Sequence, residues 1–191
     1  PGARLYVEPL SGLSVRAAVY EGLFGIGEIA YRSEINQMPG SIAVGTWGYS
    51  ELQDHVSEVD EEGNPLKARS SGAYVTLNQK LYAPTAGSPL GLSSFVRTGM
   101  GAKETSVAAY GLQTGLSYQG LFASRPDDQI GLGSAIAGAA GLRECAFELS
   151  YRAQVVSWFA VQPDIQWIKN PGLDSTVASA VVATTRLTVS L

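Results

Sequence analysis

Cysteine and histidine are almost absent from this sequence, which has one of each, Cys145 and His55. A single cysteine excludes an internal disulfide and a metal site built from several cysteines. Cys145 has only Arg143 as a nearby cation in the sequence, which favours a structural or loop thiol over a reactive nucleophile. His55 lies in an acidic segment, where a metal site would need carboxylate ligands, and a plain solvated loop is the alternative.

Charge and long apolar runs are also scarce. Charged residues make up 16% of the 191 residues, against a usual ~25%, and the net charge is −4. A mild negative charge without a basic run argues against nucleic acid as a partner. No stretch reaches the ~18 consecutive apolar residues of a membrane-spanning helix. The chain opens at Pro1 without the regions of a signal peptide, which predicts a mature chain or a fragment.

Alternation with a period of two dominates what is present. In the segment 146–156, Phe147, Leu149 and Tyr151 share one face, while Glu148 and Ser150 share the other, which is a strand pattern. The same alternation predicts about ten strands, near residues 12–20, 28–35, 41–49, 72–82, 90–100, 108–122, 129–138, 145–156, 158–168 and 177–191. Residues 1–9 are interpreted as a lead-in. Residues 51–69 are acidic and interrupt the pattern, which indicates a functional or mobile loop.

Each predicted strand has a polar face and an apolar face. A soluble sandwich buries the apolar face, whereas a membrane barrel turns it to lipid and lines a wet lumen with the polar one. In the segment 110–122, Tyr110, Tyr118 and Phe122 flank Leu112 and Leu116, which is typical of aromatic girdles around an apolar band. The alternation alone leaves both architectures open.

Three motifs in the chain are long enough to be specific. They are SWFAVQPDIQWIKNPG at 157–172, DDQIGLGSAIAG at 127–138 and GAYVTLNQKLY at 72–82. The first resembles the penultimate-strand signature of the carbohydrate-selective porin (OprB) family of bacterial outer membranes, and the others resemble two further strands of that family. The positions that fit the first motif are Trp158, Val161, Gln162, Pro163, Asp164, Gln166, Trp167, Ile168, Asn170, Pro171 and Gly172.

The resemblance implies an all-β protein, an antiparallel transmembrane β-barrel of about sixteen strands in the bacterial outer membrane. The chain is similar to the C-terminal part of that barrel. We therefore expect residues 1–191 to form a single barrel domain that is a fragment lacking about six N-terminal strands. Members of the family usually end in Phe, so Leu191 is a departure, and the chain either tolerates it or stops short of its natural end.

The implied function is passive, carbohydrate-selective diffusion through a water-filled lumen, without a cofactor or metal. The expected partners are sugars such as glucose, outer-membrane lipid and the remaining strands of the same barrel. The polar residues that we predict to face the lumen and contact sugar are Trp47, Asn78, Lys80, Arg97, Glu148, Arg152, Gln162, Asp164, Gln166 and Arg186. Each could equally be a structural contact, with Arg152 and Arg186 pairing with Glu148 and Asp164.

Two other functions are consistent with parts of the sequence. Glu148 and Asp164 lie on neighbouring predicted strands, so a glycosidase-like carboxylate pair is conceivable. Acids that line a wet channel explain the same residues better, and no serine sits in a G-x-S-x-G motif, so we predict no enzyme activity. The second alternative is a soluble or surface-exposed β-sheet binding module, which would stay monodisperse in buffer without detergent.

Overall fold

The computed structural model describes residues 2–190 and consists almost entirely of β-strands. They are β1 (Gly2–Leu10), β2 (Leu13–Tyr20), β3 (Phe24–Ile35), β4 (Met38–Tyr49), β5 (Gln53–Val59), β6 (Pro65–Ala68), β7 (Ser71–Tyr82), β8 (Gly91–Gly101), β9 (Tyr110–Gln119), β10 (Gln129–Ala139), β11 (Leu142–Val156), β12 (Phe159–Lys169) and β13 (Ala180–Val189). A short 3-10 turn spans Pro171–Leu173. Within residues 2–190, no helix has both the length and the apolar character needed to cross a membrane.

One large sheet contains 11 of these strands, in the order β1-β2-β3-β4-β7-β8-β9-β10-β11-β12-β13. Every neighbouring pair is antiparallel, so each strand pairs with the next strand of the sheet along the chain. The strands β5 and β6 form a separate two-stranded hairpin between β4 and β7. The sheet is not closed on itself, and β1 and β13 are its two edges.

The apolar side chains of the sheet are exposed rather than packed in a core. Leu132 is 57% exposed, Phe147 is 52% exposed and Ile165 is 49% exposed, although all three lie in the middle of the sheet. Ala160 is the only hydrophobic residue that is buried in the described part of the chain. A soluble sheet would hide such a face against a second layer. The distribution therefore favours a barrel wall whose apolar face meets lipid over a soluble binding module.

The opposite face, called the polar face below, carries most of the charged side chains of the strands and the recesses described below. Hydrogen bonds cross it from strand to strand. Glu28 of β3 accepts a hydrogen bond from Arg16 of β2 at 3.3 Å and another from the Tyr74 hydroxyl of β7 at 2.9 Å. Side chains that bond to each other across a row of strands hold the wall in register.

The two rims of the sheet differ in their connections. The short-turn rim has the connections 11–12, 36–37, 83–90, 120–128 and 157–158, and the long-loop rim has 21–23, 50–70, 102–109, 140–141 and 170–179. The connection 50–70, which contains the β5–β6 hairpin, is the longest of them. Outer-membrane barrels have short periplasmic turns and longer extracellular loops. This rule predicts that the long-loop rim lies on the extracellular side.

The ten predicted strands correspond to β2–β4 and β7–β13, but β3 begins four residues earlier than predicted, and the sequence-based prediction was also wrong at four other places. The predicted lead-in is strand β1, and the acidic loop contains the β5–β6 hairpin. Strand β9 ends at Gln119, so Phe122 lies in the following loop and takes no part in a girdle on that strand. Strand β13 begins at Ala180, so Val177 lies outside it. Leu191 lies outside the described residues.

The hairpin was not predicted because its two strands pair through the backbone without apolar alternation, and side-chain hydrogen bonds reinforce its turn. The Asp60 carboxylate accepts hydrogen bonds from the backbone N–H of Glu62 at 3.0 Å and of Asn64 at 2.8 Å, which closes the turn. These bonds hold the pKa of Asp60 below its usual value. Lys67 of β6 forms an ion pair with Asp54 of β5. Such a hairpin leaves no period-two apolar signal in the sequence.

Candidate functional site

A recess of about 480 Å³, called the central depression below, lies halfway along the polar face. Its floor is the bare backbone of β9 and β10, where Gly131 and Gly133 carry no side chain. Gly115 is required beside them, because a Cβ there would lie 2.6 Å from the ring of Phe95. The side chains around this floor come from β8 to β12, and include Phe95, Gln113, Ser117, Gln129, Glu148, Arg152, Gln162 and Gln166.

Only some of the polar side chains of the central depression form hydrogen bonds with one another. Glu148 accepts a hydrogen bond from the amide of Gln166 at 2.7 Å. Within residues 2–190, the side chains of Gln113, Arg152 and Gln162 have no hydrogen-bond or ion-pair partner. Because amide and guanidinium groups carry several donors, these three side chains are available to a solute in the recess.

All ten predicted site residues lie on the polar face, but the structure does not bring them into one site. Strand pairing sets Asp164 opposite Ser150, Gln162 opposite Arg186, and Lys80 opposite Ser93, each on this face. Glu148, Arg152, Gln162 and Gln166 line the central depression. The other six are spread over neighbouring parts of the wall: Trp47, Asn78, Lys80, Arg97, Asp164 and Arg186.

The arginines near the central depression are not neutralised by its acids. Asp164 accepts a hydrogen bond from the Thr184 hydroxyl at 2.6 Å, and its other carboxylate oxygen is buried without a partner. Glu148 is bonded to Gln166 as described above. In the described chain neither Arg152 nor Arg186 forms an ion pair. The alternative of simple structural pairing of these arginines with Glu148 and Asp164 is therefore not what the structure shows.

Arg97 lies in a second recess of about 550 Å³, on the side of the central depression toward the long-loop rim. Its guanidinium carbon sits 5.1 Å from the ring centroid of Phe95, two residues earlier on the same face of β8. Gln113 lies opposite Arg97 on β9 and lines both recesses. The Phe95 ring stabilises the Arg97 guanidinium by a cation–π contact, and the N–H donors of the guanidinium stay free.

Asn78 and Lys80 lie in a third recess of about 500 Å³, toward the short-turn rim. The Asn78 amide donates to the Ser41 hydroxyl at 3.3 Å. The Lys80 ammonium donates to the Pro89 carbonyl at 2.6 Å. Both side chains thus form hydrogen bonds within the protein. The Lys80 ammonium has three N–H donors, and two of them remain available to a solute.

Trp47 lies apart from the other predicted site residues, at the long-loop rim. It packs there with rings from neighbouring strands, 6.3 Å from Phe24 and 6.2 Å from Tyr49 between centroids. Phe24 could not be identified from the sequence, because it lies in a glycine-rich stretch without clear alternation. Only the pairing of β3 with β4 brings it beside Trp47.

The recesses form a row that runs from one rim to the other. The third recess shares Phe95 with the central depression, the central depression shares Gln113 with the Arg97 recess, and that recess shares Trp47 with the ring cluster at the rim. Ring faces, amides and guanidinium groups recur along the row, and no single deep site dominates it. Such a surface suits a solute with many hydroxyls that binds weakly at successive positions.

Neither His55 nor Cys145 belongs to this row. The Nδ1 atom of His55 accepts hydrogen bonds from the backbone N–H of Ser57 at 3.3 Å and of Glu58 at 3.0 Å, inside the β5–β6 hairpin. Cys145 is a free thiol in β11, opposite Ile136 and on the apolar face. Among residues 2–190, no group of three or more His, Cys, Asp or Glu side chains could hold a metal ion.

One buried acid anchors the short-turn rim. Asp128, which is 4% exposed, pairs with Arg125 of the same loop and accepts hydrogen bonds from the Tyr151 hydroxyl and from the backbone N–H of Gln154 at 2.9 Å. The Arg125 guanidinium, helped by these donors, lowers the pKa of Asp128 to about 2. The carboxylate in turn raises the pKa of Arg125. This cluster ties the 120–128 loop to β11.

Comparison with known proteins supplies independent findings on fold and family. The sequence of residues 4–191 matches the family described as carbohydrate-selective porin, OprB family. A curated relative, Porin B of Pseudomonas aeruginosa, is 30% identical over 182 aligned residues that cover 77% of this chain and 40% of the relative.

Solved structures show the same fold. The high-pH structure of Pseudomonas putida OprB is similar to this chain with a TM-score of 0.88 and 23% identity, over 98% of this chain and 58% of that one. The outer membrane protein OmpT of Vibrio cholerae is similar with a TM-score of 0.58 and 12% identity, over 96% of this chain and 61% of that one. The chain thus spans between 40% and 61% of the length of these proteins.

Proposed function

Because the chain belongs to the carbohydrate-selective porin (OprB) family and has the β-barrel fold of the bacterial outer membrane, we propose that it forms part of the wall of a water-filled channel through which sugars diffuse passively. The observation that carries this proposal is the row of adjoining recesses on the polar face. It offers repeated weak contacts to a solute along its path, which is what conduction requires.

The chemistry of the row favours neutral, polyhydroxylated solutes. Acids and bases are interleaved on the polar face, with Glu148 and Asp164 near Arg97, Arg152 and Arg186. Neither a ring of acids nor a ring of bases forms, so strong selection for one sign of ion is not expected. Amides and guanidinium groups hydrogen-bond to sugar hydroxyls, and the Phe95 ring offers a face for the C–H side of a sugar.

A larger barrel completes the wall in this proposal. The sheet has two unpaired edges, β1 and β13, whose N–H and C=O groups would be costly to expose in lipid. The chain also spans only 58% of the similar P. putida barrel. Both facts support a protein in which further strands pair with these edges. The channel assignment leaves no catalytic role for Glu148 and Asp164, which we propose to line the lumen.

The proposal predicts that glucose partly blocks ion current by occupying the recesses. We expect Arg97→Ala to weaken the block by about twofold to twelvefold, since one hydrogen-bonding side chain contributes ~0.5–1.5 kcal/mol. The measurement is the conductance of the complete barrel protein in a planar bilayer as glucose is increased. Val96→Ala, on the apolar face of the same strand, is the matched control and should leave the block unchanged.

Two results would contradict the proposal. If glucose changes the wild-type current only as much as viscosity requires, the channel has no specific sugar path and is a general diffusion pore. If Val96→Ala weakens the block as much as Arg97→Ala does, the contact with sugar is not on the polar face.

A further inference from the structure

A pocket of about 440 Å³, called the mouth pocket below, lies on the polar face at the long-loop rim. Three aromatic rings from β3 and β4 line it, those of Phe24, Trp47 and Tyr49, and the Tyr20 ring of β2 packs against Phe24 from outside the pocket. The ring centroids of Tyr20 and Phe24 are 6.1 Å apart, those of Phe24 and Tyr49 are 4.9 Å apart, and those of Trp47 and Tyr49 are 6.2 Å apart. Rings at these separations attract one another and form a stable apolar surface.

Strand register places these rings on the polar side rather than toward lipid. Phe24 pairs with Tyr20 and with Tyr49, and it lies four residues before Glu28 on the same face of β3. The Trp47 ring lies over Gly72, where a Cβ would come within 2.6 Å of it. Tyr49 remains 40% exposed. An exposed aromatic surface on the wet side of the wall marks a site of interaction.

The remaining lining of the mouth pocket is uncharged, and consists of the apolar Ile26 and the polar residues Gln53, Ser70, Thr105 and Ser106. Two of its hydrogen-bonding groups are unused. In the part of the chain that the structure describes, neither the Trp47 indole N–H nor the Tyr49 hydroxyl has a hydrogen-bond partner. Both groups can therefore form hydrogen bonds with the hydroxyls of a ligand.

We propose that the mouth pocket captures the pyranose ring of a neutral sugar before it enters the row of recesses. A pyranose has an apolar C–H face, which fits the rings, and edge hydroxyls, which fit the amide and hydroxyl groups. No charged side chain lines the pocket, so an ionic solute finds no partner in it. Its volume lies within the ~300–1,000 Å³ of small-molecule sites. The proposal rests on the sugar-channel function and assigns to it a specific entry site.

The mouth pocket adjoins the Arg97 recess, so a bound sugar can move from one to the other. Trp47 and Ser106 line both the mouth pocket and the adjoining Arg97 recess. A sugar that leaves the mouth pocket therefore meets the Arg97 guanidinium and Gln113 next. Entry from the long-loop side begins at neutral rings and continues to charged donors, so the two sites act in series.

The test measures single-channel current of the complete barrel protein with glucose added only on the long-loop side. We expect Trp47→Ala and Tyr49→Ala each to lower the association rate from that side by about twofold to tenfold, since a ring contact is worth ~0.5–1.5 kcal/mol. Association from the short-turn side should change less. Trp47→Phe keeps a ring and should stay near wild type. Val19→Ala, on the apolar face of β2 near the same rim, is the control.

The outcomes separate the capture site from the channel function. If glucose does not block the wild-type channel at all, the sugar path fails and the capture site fails with it. If glucose blocks normally and neither ring substitution alters entry from the long-loop side, the capture site is wrong and the rings only pack the loops. Heat-modifiable gel mobility shows whether each variant is folded. Should Trp47→Ala fail to fold, Tyr49→Ala decides, because its more exposed ring supports less of the structure.

Discussion

At the scale of single residues, the period-two alternation decides which solvent each side chain meets. Leu116 of β9 is exposed on the apolar face, opposite Leu132, and Gln113 of the same strand faces the central depression. The faces could be predicted from sequence because side chains alternate strictly along a strand. The sequence could not show which face is wet, since a sandwich and a barrel share the pattern.

Arginine placed on the two faces of β9 gives the sharpest residue-level prediction. Leu116→Arg puts a charge against lipid and should destabilise the protein by roughly 2–4 kcal/mol near the bilayer midplane. Gln113→Arg puts the same side chain into the wet lumen and should be tolerated. Heat-modifiable gel mobility of both variants measures the effect. Equal damage from the two would mean that the faces are assigned wrongly.

Low pH should destabilise the short-turn rim by protonating the Asp128 carboxylate. Its folded pKa of about 2 lies below its usual 3.8, so the carboxylate stabilises the fold above pH ~4 and loses this effect as the pH falls toward ~2. We expect Asp128→Asn to lower the free energy of unfolding by about 1–3 kcal/mol at pH 7, discounted because Arg125 is partly exposed. Thermal melting of both proteins at several pH values checks it.

Two features of those melting curves are diagnostic. The gap between wild type and Asp128→Asn should shrink as the pH falls from ~4 toward ~2, because the carboxyl is then protonated in the unfolded state and increasingly also in the folded state. Asp127→Asn, in the same turn but exposed, is the matched control and should change little. A gap that persists unchanged at pH 2, or an equal effect of the two substitutions, would show that the Asp128 cluster is not the anchor.

At the scale of elements, the sequence predicted the strands with strong apolar alternation and missed the others. Strand β1 was missed because Glu8 and Pro9 interrupt its alternation and its residues are all exposed. The β5–β6 hairpin was missed because turn and ion-pair contacts hold it, as at Asp60 and Asp54. Strand β9 was predicted to extend to Phe122, but the chain leaves the sheet after Gln119, where Gly120 takes a left-handed φ of 72°.

In the candidate site, too, the face of a residue could be predicted from the sequence but its contacts with other strands could not. Glu148 and Gln166 could be placed on the lumenal face from alternation, but their hydrogen bond depends on the register of β11 against β12. The glycine floor of the central depression depends on three strands meeting at one level. The rings of the mouth pocket depend on pairing between β3 and β4. Contacts between strands are not encoded in the period of any one strand.

The β5–β6 hairpin should be dispensable for folding. Its strands pair only with each other, and its one backbone hydrogen bond to another loop runs from Val56 to Glu104 at 2.8 Å. Replacing residues 54–67 with a short Gly-Ser linker should leave heat-modifiable mobility intact, because loops at an extracellular rim tolerate such changes. A variant that no longer assembles would show that the hairpin supports the wall.

At the scale of the whole molecule, the protein exposes the large apolar side chains that a soluble domain buries. Large apolar side chains cover one face of a single sheet, and polar side chains, glycines and a row of recesses cover the other. Such a sheet is stable only if lipid meets the first face and water meets the second. The proposed sugar path therefore requires that the polar face lines a water-filled lumen.

Cysteine accessibility along β12 tests this claim most directly. Single cysteines replace Val161, Gln162, Ile165 or Gln166 in a Cys145→Ser background of the complete protein, and intact outer membranes are treated with a water-soluble, membrane-impermeant maleimide. We predict that the cysteines at 162 and 166 react and that those at 161 and 165 do not, because strand pairing puts the two sets on opposite faces. Reaction at 161 and 165 with protection of 162 and 166 would contradict the account.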